Sequence, residues 1–118
     1  MANKANASFV VNAGGGWSYL ARITLHDGED ATQEDISTIT RTIVDRQTGQ
    51  SVTDSVTVAT AVHDELQSNA VLWDKPFNFK DDVPASKIPN RYRYTLQYTI
   101  TPTVGEAIKT REIDIEGD

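Results

Sequence analysis

The sequence predicts a small all-β domain, a sandwich of about seven antiparallel strands with an extended N-terminal arm, on three observations. Residues Arg91 to Thr103 (RYRYTLQYTITPT) alternate without a break. Tyr92, Tyr94, Leu96, Tyr98 and Ile100 fall on one parity and Arg91, Arg93, Thr95, Gln97, Thr99 and Thr101 on the other. Successive side chains of a strand point to opposite faces, so this stretch reads as a central strand with one face in a core. Apolar residues make up 38% of the chain and are grouped in short Val-, Ile-, Tyr- and Thr-rich runs, which suit thin sheets better than a thick helical core. Turn residues recur between these runs, and no stretch carries a convincing long helix.

At 118 residues the chain fits one core. Residues 1–16 read as an arm on a flexible joint: Ala, Asn, Gly and Ser surround a single apolar patch, Phe9-Val10-Val11, and the segment ends in Gly14-Gly15-Gly16. The sandwich is expected over residues 17–118. Trp17 to His26 places Trp17, Tyr19, Ala21, Ile23 and Leu25 on one face as the first strand. Asp27 to Asp35 is an acidic, Gly-containing loop. Ile36 to Asp45 is a second strand, rich in β-branched residues. Gln47-Thr48-Gly49-Gln50 supplies the tight reversal into a third, Ser51 to Val62, whose apolar face (Val52, Val56, Val58, Val62) is interrupted by Asp54 and Thr60.

His63 to Asn69 has no two-residue period and fits a helical turn or an irregular crossing. Ala70 to Asp74 reads as a short strand. Lys75-Pro76 then restricts the backbone before Phe77 and Phe79 resume the alternation. Pro84 to Pro89 looks like a helical turn or tight corner leading into the central strand. Tyr92 or Tyr94 is placed to return its hydroxyl to that corner, the tyrosine-corner arrangement of sandwich domains. Thr103 to Glu106 turns into a last strand, Ala107 to Glu116. There Ile108 is out of phase with Ile113 and Ile115, which predicts a bulge between Lys109 and Glu112.

Composition excludes several function classes. The net charge is −6 and, Arg91 and Arg93 aside, the basic residues are scattered, so no Lys/Arg stripe exists to neutralise phosphates and no nucleic-acid partner is expected. No run approaches the roughly 20 apolar residues of a membrane helix, and the first residues lack a basic, then apolar, leader. A protein without membrane contacts, soluble and unprocessed, is expected. With no Cys there is no disulfide framework and no thiolate metal site.

Chemistry is sparsely represented. His26-Asp27 and His63-Asp64 are the only His-Asp pairs, and a metal site needs more ligands around them. Gly14-Gly15-Gly16-Trp17 lacks the Lys and Ser/Thr of a phosphate loop and precedes a strand. The acidic loop and Asp81-Asp82 offer oxygen ligands of the kind calcium takes, although such loops are commonly only solvated. Neither a catalytic set nor a cofactor is expected, so the chain reads as a non-enzyme. Tyr92, Tyr94 and Tyr98 could form a stacking platform for a sugar, but a small domain without disulfides needs large burials, which favours the core for them. Exposure of these rings would favour a carbohydrate- or ligand-binding module; burial favours an assembly protein. Phe9, Val10 and Val11, with Trp17 just past the glycines, are the candidate partner-binding residues. The arm would dock on a neighbouring subunit or add a strand to an exposed sheet edge.

The arm SITRTIVDRQTGQ, the strand and corner PFNFKDDVPASKIP and the closing hairpin YRYTLQYTITPTVGEAIKTREIDI together resemble an immunoglobulin-like sandwich over roughly Trp17 to Glu116. The Cys, Trp and Cys of antibody domains are absent, which argues against a cell-surface receptor. The chain is similar to small immunoglobulin-like proteins of tailed-bacteriophage particles. That resemblance implies a structural protein of the virion, soluble in the cytoplasm before assembly. It would be a capsid decoration protein or a tail component, a homo-oligomer whose partner is a viral capsid or tail protein.

Overall fold

The computed structural model describes residues 4–12, 16–69, 73–88, 93–110 and 112–116. Nine strands run through them: β1 (Lys4–Asn12), β2 (Trp17–Thr24), β3 (Ile36–Asp45), β4 (Ser51–Val56), β5 (Val62–Asn69), β6 (Trp73–Val83), β7 (Arg93–Pro102), β8 (Ile108–Lys109) and β9 (Ile113–Glu116). One helical turn, α1 (Val58–Ala61), lies between β4 and β5, and two 3-10 turns span Gln33–Asp35 and Ala85–Lys87. The strands form two antiparallel sheets. One has the order β1-β2-β6-β5; the other runs β4-β3-β7-β8, with β9 also paired to β7.

The central strand forms as its alternation predicts. Tyr94, Leu96, Tyr98 and Ile100 are all buried, while Thr95, Gln97 and Thr99 between them are not. Arg91 and Tyr92, the start of the alternating stretch and one of the two corner tyrosines, lie outside the described residues. β7 pairs with β3 from Asp45↔Tyr94 to Ile36↔Pro102. Its inner face meets the other sheet, where the Tyr98 ring lies 4.6 Å from Tyr19 of β2 and 5.3 Å from Phe79 of β6, centroid to centroid. Ile39, Ile43, Ile23, Val62, Ile88 and Ile115 complete one continuous core. The β3–β4 reversal turns at Gly49, whose φ of +77° is a left-handed conformation that favours glycine. Its N–H donates to the Asp45 carbonyl at 2.7 Å.

Three expectations are corrected. The third strand stops at Val56 instead of Val62, because Val58–Ala61 wind into α1 and carry the chain from one sheet to the other. His63 to Asn69, without alternation, is nevertheless strand β5. It is an edge strand whose pairing with β6 breaks between Val62 and Gln67 and again between Gln67 and Asn69; with most of its side chains in water, no buried face imposed a period on it. Of the short strand expected over Ala70 to Asp74, Trp73 and Asp74 belong to a longer one, β6, which runs through Pro76 to Val83; residues 70–72 lie outside the described set. In the predicted bulge region the last strand divides into β8 and β9. Thr110 lies between them, its N–H donating to the Tyr98 carbonyl and its Oγ1 accepting from the Tyr98 N–H, both at 2.9 Å.

Pro76 has no N–H to give a ladder. Past Phe79 the β2–β6 register ends, and the Asn78 side chain takes the place of a backbone peptide. Its Oδ1 accepts from the Ile23 N–H at 2.7 Å and its Nδ2 donates to the carbonyls of Ile23 and Ala31 at 2.9 and 3.1 Å.

Candidate functional site

Of the predicted partner-binding residues, Phe9, Val10 and Val11 lie on the edge strand β1 and Trp17 on β2 beside it. β1 lies antiparallel on β2 of its own chain, with Phe9 opposite Leu20, Val10 opposite Tyr19 and Val11 opposite Ser18. The side chains of Phe9, Val10 and Val11 lie outside the described residues. Trp17 stands opposite Asn12 on one side and Val83 on the other, half-buried and packed against the core. Gly16 is fitted closely: a Cβ there would press into the Val83 carbonyl oxygen. Leu20, on the opposite face of β2 from Tyr19, is itself fully buried and clusters with Phe77, so the outer side of this sheet carries a second, smaller apolar centre.

A second group was not assembled from the sequence, which marked Asp54 only as an interruption of an apolar face and Asp81 only as a possible calcium ligand. Three charged side chains occupy inward positions on apolar strands: Arg41 between Ile39 and Ile43, Asp54 between Val52 and Val56, and Asp81 between Phe79 and Val83. Antiparallel pairing sets Arg41 opposite Asp54 within one sheet, and sandwich closure brings Asp81 of the other sheet onto Arg41. Arg41 Nη1 donates to Asp81 Oδ2 at 2.8 Å and Nη2 reaches Asp54 Oδ2 at 3.5 Å; the Arg41 and Asp81 side chains are only 9% and 11% exposed. Tyr98 donates its hydroxyl to the same Asp81 oxygen at 2.5 Å. Lys87 Nζ lies 3.4 Å from Asp54.

Burial disfavours the guanidinium charge, yet the bonds to Asp81 outweigh it and hold Arg41 above its ordinary value. Burial in the first place, then the Asp81 charge, pushes the Tyr98 phenol well above the ordinary tyrosine range. Both groups therefore stay protonated, and the Tyr98 hydroxyl acts as a donor. The sequence signal was the inward parity of the three charges, which gains meaning only when the three strands are known to face one another.

Above this network, where β4 crosses through α1 to β5, a cleft of about 420 Å³ opens. Its walls are mainly polar: Arg41, Ser55, Thr57, Thr60, His63 and Lys80 share them with Asp81 and Asp82. Asp82 Oδ1 accepts from Ser18 Oγ at 2.5 Å and has Lys80 Nζ 3.9 Å away, while the His63 ring stands edge-on to Phe77 at 6.2 Å. Opposite charges are balanced across the cleft, which suits neutral polar groups better than an ion of either sign. Arg41 Nε is buried and has no hydrogen-bond partner among the described residues.

The two His-Asp pairs do not build a metal centre. Among the described residues no three His, Asp or Glu side chains gather in a way that could hold an ion; Asp64 instead accepts from the Gln33 N–H at 2.8 Å. In the acidic loop Asp30 takes a two-pronged contact from Arg22 at 2.8 and 3.1 Å, and Asp35 receives both the N–H and the hydroxyl of Thr32. Among the described residues no helix is long and apolar enough to cross a membrane.

Comparison with known proteins finds no family model, no curated protein and no solved structure that matches this chain.

Proposed function

We propose that this chain is a non-enzymatic structural protein of a tailed-bacteriophage particle. In this reading it is a capsid decoration or tail component with an immunoglobulin-like sandwich, and it binds the particle lattice and further copies of itself through its N-terminal arm and sheet edges. Its partner is a viral capsid or tail protein, with no part for nucleic acid or membrane, and it is soluble in the cytoplasm until it assembles. The observation that carries the reading is the burial of the aromatic side chains. Tyr19, Tyr94, Tyr98 and Phe79 are at most 3% exposed, so the two members of the candidate sugar-stacking stripe that lie among the described residues, Tyr94 and Tyr98, are committed to packing. What stays open for contact is backbone at the sheet edges. The strand order supports the immunoglobulin-like part: β1-β2-β6-β5 against β3-β7-β8 follows the ABED and CFG sheets of such domains, with β4 added beside β3.

The test is whether the chain sediments with particles. Particles purified from cells that carry the gene are probed with antibody to this chain, beside the same preparation made with residues 1–16 deleted. A Phe9→Lys/Val11→Lys variant with an unchanged melting temperature controls for misfolding of the deletion. Presence in wild-type particles and loss in both variants are expected. Absence of the wild-type chain from particles overturns the proposal.

The polar cleft favours one second reading, a module for a neutral, hydroxyl-rich small ligand such as a saccharide. Amide and side-chain NMR shifts of Thr60, His63 and Lys80 during titration with mono- and oligosaccharides test it; no shift at millimolar sugar removes it.

A further inference from the structure

The edges of the two sheets are not alike. β1 shifts register between Asn6 and Phe9. β5 shifts twice and continues past Val62 as HDELQSN, a charged and polar run. The far side of the second sheet is divided between the two residues of β8 and the four of β9. β4 alone runs unbroken, pairing six consecutive residues with β3 from Ile39↔Val56 to Val44↔Ser51. Proteins guard exposed edges with bulges, lysines, prolines or short strands, because a flat edge offers its unpaired N–H and C=O groups to another strand. β4 has no bulge, lysine or proline, and its one charge, Asp54, is an inward-pointing guard whose charge is matched by Arg41 and Lys87 of the same chain. Val52 sits on the core-facing side yet is 54% exposed, as an apolar residue is when a neighbouring strand is missing beside it.

We propose that β4 pairs antiparallel with β4 of a second copy about a two-fold axis, joining the two β4-β3-β7 sheets into one. This rests on the reading of the chain as a self-associating structural protein and names the edge, the occupant and the register. In a continuous sheet, inward residues must face inward residues. Centring the axis on Asp54 sets Val52 against the second copy's Val56, twice by symmetry, and Thr53 against its Ser55 twice. Centring it on Thr53 would set Val52 against a carboxylate. The Asp54-centred register brings two aspartates together at the axis, where each already has Arg41 and Lys87 of its own chain beside it. A lattice partner would have no reason to match this strand's own sequence; a second copy does so through the repeated Val and Ser/Thr positions. Edge pairing alone falls below the roughly 1,200 Å² that stable complexes bury, so the dimer forms at high concentration and dissociates on dilution.

The full chain is followed by sedimentation velocity and light scattering from micromolar to millimolar concentration, beside Val52→Lys, which places a lysine on the edge at an already exposed position. A reversible dimer is expected for the wild type, weakened by more than roughly tenfold in Val52→Lys with no change in melting temperature. The chain has no cysteine, so register is read from added ones. Oxidised Thr53→Cys/Ser55→Cys is expected to run as a covalent dimer on a non-reducing gel, and Thr53→Cys alone as a monomer. A wild type that stays monomeric, or a dimer that Val52→Lys leaves intact, overturns the proposal; crosslinking by Thr53→Cys alone overturns the register. A dimer lost on deleting residues 1–16 but kept in Val52→Lys assigns association to the arm and overturns only the edge. A β4 dimer from a chain absent from particles overturns only the virion reading.

Discussion

Arg41 and Asp81 meet across the two sheets, Nη1 to Oδ2 at 2.8 Å, each on the apolar face of its own strand and each nearly closed off from water. A buried charge left without its partner is far more costly than the pair itself is stabilising. Asp81→Ala leaves the buried Arg41 guanidinium with only its longer, 3.5 Å contact to Asp54 and takes away the acceptor of the Tyr98 hydroxyl, and a loss of about 3 kcal/mol in urea unfolding is expected. The double variant Arg41→Met/Asp81→Leu, which removes both charges, is expected to recover most of that loss. A double variant as unstable as the single one would show that the pair stabilises the fold beyond cancelling its own burial.

Alkaline stability follows from Tyr98. Its phenol is held above the ordinary tyrosine value by burial and by Asp81, while an unfolded tyrosine ionises near pH 10. Above that pH the unfolded chain binds fewer protons at this site than the folded one, so stability falls as pH rises, by up to about 1.4 kcal/mol per pH unit. Tyr98→Phe lacks this contribution. Its stability deficit relative to the wild type, measured by denaturant unfolding between about pH 8 and about pH 11, is expected to shrink only above about pH 10. A constant deficit across that range would contradict the assignment.

Asn78 stands in for a backbone peptide where β6 leaves β2. Asn78→Ala leaves the buried Ile23 N–H and the Ala31 carbonyl without this partner, and about 2–4 kcal/mol is expected to be lost. Hydrogen exchange at the Ile23 amide is the direct readout: it is expected to rise by more than the global loss of stability accounts for.

Gly16 separates the arm from the sandwich and also lies against β6. Gly16→Ala drives a Cβ into the Val83 carbonyl oxygen, backbone that has little room to yield, and is expected to cost about 1–3 kcal/mol. Thermal unfolding checks it. No change would mean that the backbone at this joint moves freely away from Val83.

The sequence by itself determined the all-β class, the central strand with its buried tyrosine face, the Gly49 reversal, the corner at Pro84 and the irregularity around Thr110, because each of these follows from local alternation or from a residue with special backbone demands. β5 escaped notice because an edge strand in water has no buried face to write a period into it, and α1 because its valine and alanines fit the parity of the strand before it. The candidate site was visible only in fragments. Asp54 read as a flaw in an apolar face, Asp81 as a possible calcium ligand and Arg41 as nothing in particular, and only closure of the sandwich puts the cation of one strand against the carboxylates of two others. Pairing charges across sheets depends on contacts far apart in the chain, which alternation does not encode and tertiary packing decides.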